Sequence, residues 1–364
     1  MSRADRVAAL VGEQGLDQLI VADLVTTGDS SREAQANVFW LCGFTGTSAF
    51  CLVGPDERAF LTDFRYVQRA EREVDPAFDR DRIGGEALAE MAKRLRGRVG
   101  YDDATTSVRS LRKLEENVDQ GVELVATEGL VERLRRRKDA EEVRRIAAAA
   151  ELTDSVYEWL CERGLAGRTE RQVQLAAEQR MRELGAQDPS FPAIVAAGAN
   201  GALPHHEASD SEIAQGIPVV IDMGAIVDGY CSDCTRTFAT GELDAEAVEV
   251  YELVHSAQAA ALEVIAVGIS GKDADAVSRE PIAEAGHGDH YGHGMGHGVG
   301  VEVHEAPRLS PRSDDLLEQG DVLTVEPGVY VPDRFGVRIE DLVALTDQGM
   351  RNLSSVDKSL RIVG

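Results

Sequence analysis

HYGHGMGHGVGVEVHE, residues His290–Glu305, holds four of the chain's eight histidines and a glycine at every second place from Gly292 to Gly300. Glycine weakens a strand interior, so such a run marks a place where a ligand or another backbone must come close. Histidines at this density suggest a metal site, and the remaining ligands should lie elsewhere in the chain.

Working outward, three acidic residues interrupt apolar strands: Asp222 in VVIDMG, Glu326 in LTVEPG and Glu340 in VRIEDL. A carboxylate in a core strand is costly unless it is paired or metal-bound. A salt bridge to arginine is the ordinary account of any one of them. Three together, beside a histidine-rich stretch, favour a metal. Asp233, in YCSDCTRT, adds a fourth carboxylate across a hairpin from Asp222. Read as a strand, this segment puts Cys231, Asp233 and Thr235 on one face and Cys234 on the other, so the CxxC spacing is not a zinc or redox pair. Four carboxylates and an imidazole suit hard or borderline divalent ions such as Mn²⁺, Co²⁺ or Zn²⁺. So much negative charge is more easily balanced by two ions sharing carboxylates. Such ions sit about 3.5–4 Å apart and hold a water as hydroxide near neutral pH, which is hydrolytic chemistry.

The pattern around these residues predicts an α+β domain with helices on one face of an antiparallel sheet. Strands are expected at 191–197, 218–225, 230–238, 322–331 and 336–345, the second and third joined as a hairpin across 227–229. Helices are expected at 169–184, with Thr169 and Gln172 in capping-box spacing, and at 244–267 and 272–285. Two helix-then-hairpin halves, about 140–240 and 244–345, hint at pseudo-symmetry. Ahead of them, strands and helices alternate from a helix at 2–14 to a strand at 122–126, with two short strands between 37 and 53, and predict a smaller α/β domain with a mixed or parallel sheet. The expected division is residues 1–130 and 131–364. The charged run at 132–139 leads into a long helix ending near Arg163 and reads as a solvated linking face.

Composition narrows the function. The chain has 364 residues, 64 acidic against 38 basic, and a net charge of −26. That balance disfavours nucleic acid and anionic membranes as partners. Five lysines against 33 arginines, with the excess acid, suggest a high-salt cytoplasm in which screening relieves self-repulsion. No apolar run approaches the ~20 residues of a membrane span, and the N-terminus does not read as a signal peptide. Five scattered cysteines form no disulfide framework, so reduced thiols and a cytoplasmic location are expected.

The motifs VIDMG, YCSDCTRT, HGMGHGVGVEVHE, TVEPGVY and VRIEDL, in that order, resemble those of the pita-bread metallopeptidases, in the branch of prolidase and Xaa-Pro aminopeptidase. The segments 37–53 and 60–66, the latter FLTDFRY, are similar to the creatinase-type N-terminal domain that precedes the catalytic domain in that branch. The resemblance implies a pita-bread α+β catalytic domain behind a smaller α/β domain, and metal-dependent cleavage of the bond before proline in dipeptides or short peptides. It implies Asp222, Asp233, His297, Glu326 and Glu340 as ligands of two metal ions, Mn²⁺ or Co²⁺ before Zn²⁺. It also implies that Glu326 shuttles a proton from a bridging hydroxide to the leaving nitrogen, worth ~10²–10⁴-fold. His205 then lines the proline pocket, His304 contacts the substrate carbonyl, His293 stands behind the site, and Arg338 partners the ligand carboxylates. Relatives are commonly dimers, so a homodimer is expected.

Bland readings cover the other histidines. His206 is a neighbour of His205 rather than a ligand, His255 a packing residue on a helix, and His287 and His290 loop residues. Other functions on the same scaffold are a metal-dependent hydrolase of a small C–N substrate and a non-catalytic binding protein.

Overall fold

The computed structural model describes residues 1–24 and 35–364. The chain separates into two compact units, Met1–Arg135 and Arg136–Gly364. In the first, α1 (Arg3–Glu13) starts from a capping box of Ser2 and Asp5 and buries a stripe of Ala4, Val7, Ala8 and Val11. β1 (Gln18–Val21), α2 (Ala36–Cys42), β2 (Ala49–Val53), β3 (Arg58–Thr62), α3 (Val67–Glu73) and β4 (Asp79–Arg82) follow. Next come α4 (Ala87–Ala92), β5 (Arg98–Asp102), α5 (Val108–Glu115), β6 (Glu123–Thr127) and α6 (Leu130–Arg136). The six strands form one mixed sheet in the order β4-β3-β2-β1-β5-β6, as the alternation predicts.

Two elements of this unit depart from expectation. Residues 37–42, expected as part of a strand, form α2, which ends where Gly43 turns left-handed at φ 83°. A short apolar run buried on most sides does not distinguish strand from helix by its periodicity. β4 was not expected because its sequence is Asp-Arg-Asp-Arg and every residue is exposed. It is a sheet edge, where charge protects unpaired backbone groups from other chains.

The second unit opens with α7 (Ala140–Arg163) and α8 (Glu170–Glu183), each with a capping box, the latter made by Thr169 and Gln172. Then come β7 (Asp188–Pro189), β8 (Ile194–Ala197), β9 (Pro218–Met223), β10 (Ala225–Val227), β11 (Tyr230–Cys231) and β12 (Cys234–Ala239). A second helix pair, α9 (Ala245–Val264) and α10 (Gly271–Ile282), precedes β13 (Gly296–Gly298) and β14 (Glu305–Leu309). The chain closes with β15 (Val322–Val325), β16 (Gly328–Val331), β17 (Phe335–Arg338), β18 (Asp341–Thr346) and β19 (Gly349–Asn352). Two helices followed by antiparallel strands thus occur twice in succession.

Every strand pairing described in this unit is antiparallel, but the strands divide among four ladders rather than one sheet: β11-β10-β7, β12-β9-β8, β14-β13-β15-β18-β19 and β16-β17. The strands expected at 218–225, 230–238, 322–331 and 336–345 are each cut in two, and the halves join different ladders. The breaks fall at Gly224, Ser232-Asp233, Glu326-Pro327 and Ile339-Glu340. Gly224 is required at its break, because a Cβ there would lie 1.9 Å from the Ser232 carbonyl oxygen. Tyr157, Val173 and Met181 of α7 and α8 pack on Val195, Val219 and Ile221 of the β8–β9 side. Val250, Tyr251 and Val254 of α9 pack on Val329 and Val337.

Gly294, Gly296 and Gly298 of the opening stretch serve close approach by the protein's own backbone. β13 lies between β14 and β15, and a Cβ on Gly296 would stand 2.0 Å from the Thr324 carbonyl oxygen. The charged run at 132–139 corrects the reading of a solvated linking helix. It spans the end of α6 and a break capped by Asp139. Arg135 is buried and donates to Asn37, Arg136 pairs with buried Asp321 at 2.8 Å, and Lys138 is buried against Glu305 at 2.9 Å. In so acidic a chain Arg136 and Lys138 have buried acids to neutralise.

Candidate metal centre

The five residues singled out as ligands are brought together by the breaks between ladders. Asp222 is the penultimate residue of β9, just before Gly224. Asp233 lies in the gap between β11 and β12, Glu326 between β15 and β16, and Glu340 between β17 and β18. His297 is on β13, where the register with β14 shifts. A residue at such a discontinuity can turn its side chain inward without displacing a core residue.

Asp222, Glu326 and Glu340 each have one oxygen held by a protein donor, and Asp222, Asp233 and Glu340 each have one left bare. Asp222 Oδ2 accepts from Arg338 Nη2 at 2.7 Å, and Glu340 Oε2 accepts from Thr235 Oγ1 at 2.6 Å. Glu326 Oε1 accepts from Thr324 Oγ1 at 3.0 Å, and Thr324 Oγ1 in turn accepts from the His297 amide. Among the described residues, Asp222 Oδ1, Asp233 Oδ1 and Glu340 Oε1 are buried and find no hydrogen-bond partner. Buried polar atoms are rarely left so. Donor atoms of Asp233, His297 and Glu340 lie within 4.8 Å of one another, a spacing that fits a divalent cation.

The imidazole is oriented for the same purpose. His297 Nδ1 stands 3.1 Å from the Gly298 carbonyl oxygen, which can only accept, so Nδ1 carries the proton. Nε2 therefore presents its lone pair, 3.3 Å from Glu326 and 3.6 Å from Asp233. A second chain of bonds stands behind Asp222. His293 Nδ1 donates to the Gly294 carbonyl at 2.7 Å, so its Nε2 accepts from Tyr330 Oη at 2.9 Å. Tyr330 Oη accepts from Arg338 Nη1 at 2.8 Å, and Arg338 Nε donates to Thr235 at 3.0 Å. One guanidinium thus orders two of the carboxylates, directly and through a threonine.

Electrostatics point the same way. Burial, then the charges of neighbouring carboxylates, push Asp233 and Glu340 well above the usual carboxyl range. Burial raises Glu326 to about 7. Burial and the ring of His304 lower His297 to about 3, and burial with Arg338 lowers His293 to about 4. Crowded acids are held toward their neutral forms and imidazoles are kept unprotonated, a condition that bound cations would relieve.

The centre opens into a cavity of about 380 Å³ whose walls include Phe191, Pro204, His205, His293, His304 and Arg308. The rings of His304 and His297 meet edge to face with centroids 4.4 Å apart. All the residues proposed from sequence therefore line this cavity. His206, by contrast, bonds Glu170 at 2.8 Å, His255 lies beside Tyr251 on α9, and His287 and His290 face each other. The two cysteines of YCSDCTRT bond different carbonyls, those of Val301 and Glu340, and none of the five cysteines is in a disulfide.

The profile of the Creatinase/Prolidase N-terminal domain matches residues 3–137, and that of Metallopeptidase family M24 matches residues 144–347. The chain belongs to metallopeptidase family M24. Its relatives include the uncharacterized peptidase YqhT of Bacillus subtilis (strain 168), 36% identical over 365 residues, covering 99% of this chain and 100% of that one. Among solved structures, the Xaa-Pro dipeptidase from Bacillus anthracis superposes with a TM-score of 0.92 at 36% identity, over 99% of both chains. The X-Pro aminopeptidase from Thermotoga maritima MSB8 gives 0.88 at 33%, over 99% of this chain and 100% of that one. The two-domain pita-bread architecture implied by the motifs is therefore correct, and this M24 protein is a metallopeptidase rather than a non-catalytic relative.

Sequence reading of this M24 chain missed Thr235, Thr324, Tyr330 and Arg308. The two threonines had a signal, lying two residues from Asp233 and Glu326, where a strand would repeat its face. Tyr330 and Arg308 had none: Tyr330 meets His293, 37 residues away in the sequence, and Arg308 reaches the cavity because β14 pairs it with His297 of β13.

Proposed function

We propose that the enzyme hydrolyses the peptide bond before proline in dipeptides or short peptides. The observation that carries this reading is the set of bare, buried carboxylate oxygens converging beside His297 on a cavity walled by His205 and His304. It occurs in a chain 36% identical to a protein named Xaa-Pro dipeptidase. Asp222, Asp233, His297, Glu326 and Glu340 would hold two divalent cations, Mn²⁺ or Co²⁺ before Zn²⁺. When bound, such ions would polarise the scissile carbonyl and make water acidic enough to react near neutral pH.

The chain's own residues supply the rest. Glu326 takes the proton from the attacking water and returns it to the proline nitrogen as the C–N bond breaks. His304, exposed at the cavity, donates to the carbonyl oxygen as charge develops there. His205 borders the space for the proline ring. Arg308 lines the same cavity without an ion pair among the described residues, and a guanidinium there suits the free carboxylate of a dipeptide.

The test is to incubate the purified protein with Mn²⁺ or Co²⁺ and matched Xaa-Pro dipeptides and tripeptides, then add a chelator. Metal-dependent cleavage before proline is expected, with the dipeptide preferred. No release from either peptide, in protein shown to have bound metal, would overturn the reading. The proposal includes a homodimer, checked by light scattering, and a cytoplasmic setting. Among the described residues no helix is long and apolar enough to cross a membrane.

A further inference from the structure

Between Ala197 and Ala208, which pack on the hydrophobic core, the segment that carries His205 buries no other hydrophobic side chain. It begins with the short turn Gly198–Ala202, in which Gly201 alone is buried, and continues through Leu203, which is exposed. One side of it is anchored near the metal centre: Gly201 lies against Gly336, and the Pro204 carbonyl accepts from Arg338 at 3.4 Å. The other side meets Glu170, the first residue of α8, which is fully buried.

Glu170 accepts five hydrogen bonds, and none comes from its own helix. Oε1 takes the Ala197 amide and Asn200 Nδ2, both at 2.9 Å. Oε2 takes the Ser209 amide at 3.0 Å, Ser209 Oγ at 2.6 Å and His206 Nε2 at 2.8 Å. The helix start needs no help from this carboxylate, since Thr169 and Gln172 already cap it. A buried carboxylate is costly unless such donors meet it. Burial pushes Glu170 up, but the donors from Ser209, Ala197, Asn200 and His206 outweigh it and hold the carboxyl below its usual range. All five donors lie between residues 197 and 209, on both flanks of His205. The adjacent histidines face opposite ways, His205 to the cavity and His206 to the buried acid.

We propose that Glu170, with His206 as its latch, is a positioning residue that fixes the 197–209 segment and so sets His205 and Pro204 as the wall against which the proline ring is selected. This rests on the Xaa-Pro reading for the identity of the ring. Glu170 is not part of the cavity wall and its bonds go to none of the candidate metal ligands, so its loss should weaken recognition of proline more than the chemical step.

The experiment uses the full chain with Mn²⁺ bound and compares wild type with Glu170→Ala, Glu170→Gln and His206→Ala. Hydrogen exchange followed by mass spectrometry should rise about tenfold in peptides covering 197–209 of Glu170→Ala and stay unchanged in those covering β9 and β12. KM for an Xaa-Pro dipeptide should rise about tenfold while kcat changes less than about threefold, and the preference for Xaa-Pro over Xaa-Ala should narrow. Glu170→Gln keeps an acceptor oxygen for one pair of donors and should fall between. His206→Ala should shift both readouts less, in the same direction. If Glu170→Ala does not fold, the other two variants decide. Unchanged exchange at 197–209, or a fall in kcat at constant KM, would overturn the proposal. A wild type inert toward Xaa-Pro peptides would overturn the peptidase reading and the proline role with it, while the exchange result decides the clamp by itself.

Discussion

Arg338 is the residue on which most of the centre's order converges. It is buried, holds Asp222 directly, reaches Glu340 through Thr235, and is itself steadied by Tyr330. Arg338→Lys keeps the charge and loses the fork, so bound Mn²⁺ should weaken by about 10–100-fold, measured by metal titration. The acids and histidines of the centre also predict a pH signature. With metal removed, Asp233, Glu326 and Glu340 hold protons more tightly folded than unfolded. Their stabilising contribution is full below the ordinary carboxyl range and is lost as pH rises through the folded values, about 7 for Glu326. His293 and His297, lowered from 6.5, contribute stability that is present above that value and lost as pH falls toward about 4 and 3. The two effects oppose each other in acid, but above about 6.5 only the carboxylates still titrate. Metal-free protein should therefore show a falling Tm between pH of roughly 6.5 and 8, and Mn²⁺ should reverse the slope because binding displaces protons. A metal-free Tm that climbs across that window would contradict the protonation states described.

At the scale of elements, the breaks between ladders decide what can be changed. Gly296→Ala would drive a methyl into the Thr324 carbonyl, which belongs to a paired strand and cannot swing away. A loss of about 1–3 kcal/mol is expected from denaturant unfolding, through the overpacking that small-to-large core changes cause. Asp233→Asn should behave differently: it removes a charge that burial disfavours, so the metal-free protein should be as stable as wild type or more so while metal affinity collapses. The same breaks explain what could be read in advance. Asp222, Glu326 and Glu340 were visible because a charge in VVIDM or LTVEP violates the pattern of a core strand. The split of those runs into separate ladders was not visible, because residues on either side of Glu326-Pro327 are equally apolar. β4 was hidden because four alternating charges carry no hydrophobic period. Nor could Lys138 be recognised as buried, or Arg136 as paired with a buried acid, since Glu305 and Asp321 lie 167 and 185 residues away.

For the whole molecule the dominant quantity is charge. A net of −26 over 364 residues means that self-repulsion opposes the compact state at low ionic strength. The Debye length falls from about 10 Å at 0.1 M salt to about 3 Å at 1 M, so Tm should rise with added NaCl or KCl across that range. A Tm indifferent to salt would remove the support for a high-salt environment. Divalent metal should act separately, adding about 2.7 kcal/mol when its free concentration is 100 times Kd.

The ladders of the second unit keep strand pairing apart from most of the acids of the centre. The pairings of β9 with β12, of β15 with β18 and of β16 with β17 are made by backbone, and Asp233, Glu326 and Glu340 stand outside them. These acids can therefore be exchanged without unpairing a strand. Architecture and chemistry are inherited separately in such a scaffold, which leaves it free to give up one reaction, or take on another, while still folding in the same way.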